Sequence, residues 1–182
     1  MTSRWSADDR TMLLRLARQA LTAAVRGEPA PRADSGGMLD HHAGAFVTLR
    51  SAGDLRGCVG QVEPQRLADV VVHCASAAAL EDPRFSPVTE LELRHIHVEV
   101  SVLGPLTPLS DPAALQPGRH GLVVSFGGRR GLLLPQVATE WGWTADELLR
   151  QTCLKAGLAS DAWCRGAQLL TFEAEIFGEA DS

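Results

Sequence analysis

"AFVTLRSAGDLRGCVGQV", residues 45–62, reads as two strands and a turn. "AFVTLR" (45–50) is rich in strand-forming residues, "SAGD" is a turn signal, and "LRGCVGQV" (55–62) resumes the apolar pattern, so the two arms form a β-hairpin. The second arm holds Cys58 among two glycines, Gly57 and Gly60. A glycine in a strand costs backbone entropy and packs no side chain, so this pair predicts a bulge, a tight bend or a backbone that something approaches closely.

Working outward, the segment before the hairpin is a helix. Ser6 caps it with Asp9 three residues on, and Leu13, Ala17, Ala20, Leu21 and Ala24 share one face until Gly27 ends it. Residues 28–44 are a polar, Pro/Gly-rich loop whose composition allows motion, and His41 and His42 within it are expected in solvent. After the hairpin, Pro64 suits the first turn of an Ala-rich helix running to Leu80. "EDPRFSPVTEL" is a turn-rich connection to "HIHVEVSVL" (95–103), where Ile96, Val98, Val100 and Val102 alternate with His95, His97, Glu99 and Ser101. A long connection with one helical turn after Asp111 leads to a second hairpin, "RHGLVVSF", "GGRR" and "GLLLP", whose Gly127-Gly128 supplies the positive φ angles of a tight turn. Pro135 opens a short helix through Trp141, and Thr144 with Glu147 caps another that ends at Gly157. "QLLTFEAEIF" is the last strand, with Leu170, Phe172, Ala174 and Ile176 inward. Hairpins mixed with helices, without regular βαβ alternation, give an α+β class with mainly antiparallel sheet and flanking helices.

The 182 residues suit a single domain, with two lobes as a variant of it. A net charge of −5 makes the whole chain a poor match for a polyanion, so nucleic acid is not indicated. No apolar run approaches the ~20 residues that span a bilayer, and no membrane role is expected. The start lacks an apolar signal core and the four cysteines, Cys58, Cys74, Cys153 and Cys164, form no CxxC pair, which points to a reduced, cytoplasmic setting.

Cys58 is the candidate nucleophile: nearby Arg56 favours the thiolate, and the glycines leave the sulfur open. A small buried hydrophobe beside a bulge is the plainer alternative, and Cys74, Cys153 and Cys164 are read as structural. Arg84 in "DPRF" (82–85) is either a bidentate anion anchor or a partner of Asp82. His120, before Gly121, is a candidate acid or base or a loop-packing histidine. His95, His97 and Glu99 could begin a metal site, but no further ligand is placed in the sequence, so neither metal nor cofactor is expected.

"AFVTL", "LRGCVG", "DPRF", "EVSVL", "GRHGL", "LLLPQVA" and "CLKAGL" together resemble the AMMECR domain family, also called AmmeMemoRadiSam system protein A. The likeness runs from about the first helix to Phe177, and LRGC[IV]G is its most distinctive block. It implies a compact α+β protein with a larger and a smaller lobe, encoded near a Memo-like protein and a radical S-adenosylmethionine enzyme. Arg56, Gly57, Cys58 and Gly60 match the signature, and Asp82, Arg84, Phe85, Ser101, His120, Gly121, Pro135 and Val137 match other blocks. Two readings follow. In one, the chain is a component of a modification system with Cys58 and His120 as catalytic groups and Arg56, Gly57, Gly60 and Arg84 binding substrate. In the other it is a non-catalytic adaptor that presents substrate.

Overall fold

In a computed structural model that describes residues 5–33 and 36–179, the hairpin at 45–62 forms, as the core of a longer one. Strand β1 (His42–Ser51) pairs antiparallel with β2 (Asp54–Arg66) across a turn at Ala52 and Gly53. Strand β3 (Ile96–Leu103) pairs antiparallel with the other side of β1. The chain makes two compact units, the first running up to Leu103 and resuming at Glu175, the second Gly104–Ala174.

In the first unit, two helices cover one face of the sheet. Helix α1 (Ala7–Arg26) starts in the predicted Ser6–Asp9 capping box and stops at Gly27, which takes a left-handed φ of 68°. Its buried stripe is Leu13, Leu16, Ala17, Ala20, Leu21 and Ala23, one residue off the sequence expectation of Ala24 at its last turn. Helix α2 (Leu67–Leu80) is rich in alanine and valine and is buried along most of its length. These side chains pack on Ala45, Val47, Leu49, Val98 and Val100, and removing a leucine or valine side chain of this size from water contributes roughly 1.5–3 kcal/mol.

Pro64 does not open helix α2. Strand β2 continues to Arg66, because β1 starts at His42 and pairs with it out to that residue. The ladder is irregular between Ala43 and Ala45, where a Cβ on Gly44 would lie 2.6 Å from the carbonyl oxygens of Gln61 and Val62. A proline fits such an irregular strand because it breaks no regular ladder bond there. Of the loop expected over 28–44, residues 34 and 35 lie outside the described residues; its end folds into a 3-10 turn, Gly37–Asp40, that buries Met38 and Leu39. His41 is half-buried with its ring edge-on to Trp5, at 5.1 Å between centroids, and only His42 is exposed as expected. His95 ends a 3-10 turn, Glu90–His95, rather than starting the strand.

In the second unit, β4 (Thr107–Pro108), β5 (Gly121–Phe126), β6 (Arg129–Leu133) and β7 (Gln168–Phe172) form a sheet in the order β4-β7-β5-β6. Gly127 and Gly128 alone make the second hairpin turn, with φ of 56° and 79°; Arg129 and Arg130 belong to the strand. Helices α3 (Pro135–Glu140) and α4 (Ala145–Lys155) follow, the latter capped by Thr144, whose hydroxyl accepts from the Glu147 N–H. Leu122, Val124, Leu148, Leu149 and Cys153 make this unit's core.

The final segment is two strands instead of one. Residue Glu173 interrupts it, and β8 (Ala174–Gly178) joins the first sheet, whose order is β2-β1-β3-β8. The break reverses the alternation: Phe172 and Phe177 are buried while Ile176 is exposed. No described helix is long and apolar enough to cross a membrane.

Candidate functional site

Strand β2 lies at the edge of its sheet, and its pairing with β1 slips between Leu49 and Arg50. Leu49 faces Gly57 and Arg50 faces Leu55, which leaves Arg56 as the extra residue of a β-bulge. Beyond the bulge, alternation is shifted by one residue. Gly57 therefore turns toward α2, where an added Cβ would lie 2.2 Å from the Ala78 carbonyl oxygen. Cys58 turns the other way and pairs with Thr48. Gly60 pairs with Phe46, whose ring occupies the place a Cβ would take, 2.0–2.4 Å away. The bulge and the close approach expected from the two glycines both exist, and the groups that approach are the protein's own helix carbonyl and aromatic ring.

Cys58 is held at three atoms. Its N–H donates to Asp82 Oδ2 at 2.9 Å, its carbonyl oxygen accepts from Arg84 Nη2 at 3.4 Å, and its Sγ accepts from the Thr48 hydroxyl at 3.4 Å. The Asp82–Arg84 pair thus serves an edge strand in place of a neighbouring strand's backbone. Arg84 binds the carboxylate in a fork, Nε to Oδ1 at 2.9 Å and Nη2 to Oδ2 at 2.7 Å. Asp82 is 5% exposed, and the Arg84 hydrogen bonds, opposed by burial and aided by the N–H groups of Cys58 and Arg84, hold its carboxyl well below the usual carboxylate range.

Arg56 is engaged separately. Its Nε donates to Glu92 Oε1 at 2.8 Å and its Nη1 to the Ser86 carbonyl at 3.0 Å. Glu92 also accepts from the Thr89 N–H at 2.8 Å, and the Arg56 hydrogen bonds, with that one, bring its pKa down to about 2. Phe85 lies between these networks in sequence, its ring centroid 5.5 Å from the Arg84 guanidinium and 6.0 Å from that of Arg56. Of the two alternatives left open for Arg84, the ion pair with Asp82 is the one that forms.

Cys58 is half-exposed, whereas Cys74 and Cys153 are buried. Burial pushes the Cys74 thiol up to about 12 and raises that of Cys153 as well. Cys164, expected to be structural, is instead exposed, with its thiol donating to the Asp161 carbonyl at 3.0 Å.

Arg56, Gly57, Cys58, Gly60 and Arg84 all belong to the first unit. His120 belongs to the second, where its Nδ1 accepts from the Gln116 backbone N–H at 3.2 Å and its backbone N–H donates to the Gln116 carbonyl at 2.8 Å. His97 and Glu99 lie on β3, with Glu99 accepting from Arg50 at 3.0 Å, while Arg94 donates to the His95 ring. Among the described residues no three His, Cys, Asp or Glu side chains converge on a common ion position.

Thr48 and Glu92 are the site residues that sequence reasoning missed. Counting back from the turn at 52–53 pairs Thr48 with Gly57; the bulge at Arg56 makes the partner Cys58. Glu92 carries a readable signal, since Thr89 and Glu92 have capping-box spacing ahead of a helical turn.

The crystal structure of an uncharacterised protein, PH0010 from Pyrococcus horikoshii, is similar with a TM-score of 0.87 and 38% identity, covering 93% of this chain and 91% of that one. A protein of Methanothermobacter thermautotrophicus is 44% identical over 184 residues, covering 96% of each chain. One from Thermococcus gammatolerans is 44% identical over 181 residues, covering 92% of this chain and 88% of its own. The AMMECR1 family model matches residues 14–177, so the motif order that runs from "AFVTL" to "CLKAGL" is that of a family, and the chain belongs to it: AMMECR1.

Proposed function

We propose that this chain is a component of a modification system, acting in the cytoplasm with a Memo-like protein and a radical S-adenosylmethionine enzyme, and that Cys58 is its working group. Residues 1–182 act as one AMMECR-type domain with two lobes. The observation that carries the site is a half-exposed thiol whose backbone is fixed on both sides by Asp82 and Arg84. The clamp holds the edge strand at Cys58 and so fixes where the sulfur stands. Cys58 serves as nucleophile or proton donor and His120 as acid or base, while Arg56, Gly57, Gly60 and Arg84 shape the surroundings that receive the substrate. The partners rest on the family resemblance carried by the sequence blocks quoted above.

The adaptor reading is favoured by one observation: Arg56 and Arg84, the two arginines expected to anchor a substrate, are already paired with Glu92 and Asp82. Two experiments separate the readings. The purified chain, mixed with the two partner proteins, is expected to co-elute with at least one of them; separate elution at micromolar concentration removes the partner proposal. Cys58→Ser is expected to abolish the modification while leaving co-elution intact. If the modification survives, the chain is an adaptor.

A further inference from the structure

We infer that Thr48 is a positioning residue for the Cys58 thiol, a role that rests on Cys58 being the working group. Thr48 is 7% exposed and sits in the central part of β1, directly opposite Cys58. A threonine there is costly to bury unless its hydroxyl is bonded. Its hydroxyl donates to Cys58 Sγ at 3.4 Å, and among the described residues this is the one hydrogen bond made to the sulfur. A donor aimed at sulfur fixes the direction in which the sulfur's remaining lone pairs point, and a hydrogen bond of this kind is stronger when its acceptor is charged.

The charged groups around the sulfur leave this task to a neutral donor. Asp82 and Arg84, from the loop after α2, are paired with each other and bond the Cys58 backbone. Arg56, on the same strand, is paired with Glu92. Glu99 of β3, which faces Thr48 from its other side, is paired with Arg50. Cys74 of α2, with its thiol pushed up to about 12, stays protonated near neutral pH. Each cation near Cys58 thus has a carboxylate of its own, and the hydroxyl is the group directed at the sulfur.

The test is iodoacetamide labelling of the whole native chain as a function of pH, with each cysteine read separately by peptide mass spectrometry because Cys164 is exposed. The thiolate attacks the iodine-bearing carbon, a C–S bond forms, the C–I bond breaks and iodide leaves, so the rate follows the thiolate fraction. Thr48→Val keeps the shape and removes the donor. It is expected to slow Cys58 labelling about 3- to 10-fold at neutral pH, the loss appropriate to one hydrogen bond that is stronger to an ion than to a neutral group. Thr48→Ser should restore the rate to within about twofold, since it restores the hydroxyl that carries the effect. Continued protection of Cys74 reports that the variant is folded; if Thr48→Val exposes Cys74, Thr48→Ala supplies the same deletion with less bulk. A hydroxyl-free, folded variant whose profile overlays that of the wild type overturns the role of Thr48 and leaves the site standing. A wild-type Cys58 that labels only after denaturation overturns the site itself.

Discussion

The two hairpins of this chain use the same devices to different ends. Both turn in two residues with positive φ, Ala52 and Gly53 in the first, Gly127 and Gly128 in the second. Both place a glycine on the outer strand where a helix backbone comes close: Gly57 against the Ala78 carbonyl and Gly131 against Ala156. The second hairpin keeps an unbroken register from Leu122 opposite Leu133 to Phe126 opposite Arg129, and its inward residues are leucine and valine. The first is broken twice, once near Gly44 and once at Arg56. The break at Arg56 turns a thiol away from the helix and toward Thr48, and the loop after α2 then supplies Asp82 and Arg84 to hold it. The candidate site is thus a product of the irregularity in one hairpin, and the regular hairpin shows what the same plan yields without it.

The largest effects should come from the two buried glycines. Gly57→Ala places a methyl 2.2 Å from a backbone oxygen that cannot turn aside, so it should cost about 3 kcal/mol or more, near the upper end of overpacking penalties. Gly131→Ala meets Ala156 atoms at 2.6–2.8 Å and should cost about 2 kcal/mol by the same argument. Gly60→Ala meets only the half-buried side chain of Phe46, which must swing about its Cα–Cβ bond to make room, and about 1 kcal/mol is expected, the low end of overpacking penalties. Urea unfolding ranks the three. An order with Gly60 first would mean that the ring, and not the helix carbonyl, fixes the strand.

The clamp gives the first hairpin an acid sensitivity with a defined sign. Asp82 has its folded pKa held below its unfolded value, so its contribution is complete above about pH 4 and is lost as pH falls through the folded pKa. Glu92 behaves alike, losing its contribution between about pH 4.3, its ordinary value, and about 2. Asp82→Asn should cost about 1–2 kcal/mol at pH 7, as one charged acceptor in a hydrogen-bonded network is replaced by a neutral one. The gap between wild type and variant should narrow below pH 4. Urea midpoints measured from pH 7 to pH 3 read it directly, and a gap that stays constant would show that the Asp82 charge contributes nothing.

The parts of the fold that sequence reading captured are those governed by local rules. The Ser6–Asp9 box, the Gly27 stop, the alternation of β3 and the Gly127-Gly128 turn each depend on a few adjacent residues, and each is where it was expected. What escaped depends on pairing with distant segments. Pro64 reads as a helix start until β1 is seen to extend strand pairing to Arg66, and Ile176 reads as inward until Glu173 breaks the strand. The site divides the same way. Cys58 and Arg56 stand out as residue types in a glycine-rich motif and Arg84 in the short "DPRF" segment, whereas Thr48 reaches the sulfur only because a bulge 8 residues along the chain shifts the register by one.

The smallest expected effect lies at the turns, where the two hairpins differ by one methyl group. Ala52 has φ of 50°, a left-handed conformation that crowds its Cβ against the following carbonyl, while the equivalent Gly127 at 56° carries no Cβ. Asparagine tolerates this conformation better than alanine, and unlike glycine it does not add backbone freedom to the unfolded chain. Ala52→Asn should therefore stabilise the protein by about 0.5–1 kcal/mol, and Gly127→Ala should destabilise it by about the same amount. Opposite shifts of the urea midpoint are the expected result; a destabilised Ala52→Asn would mean that the exposed methyl makes a contact worth more than its strain. Cys58 labelling should not change in either variant. The turn joins the strands, but the pairing that brings Thr48 to the sulfur is set by the bulge at Arg56, on the far side of Leu55 from the turn.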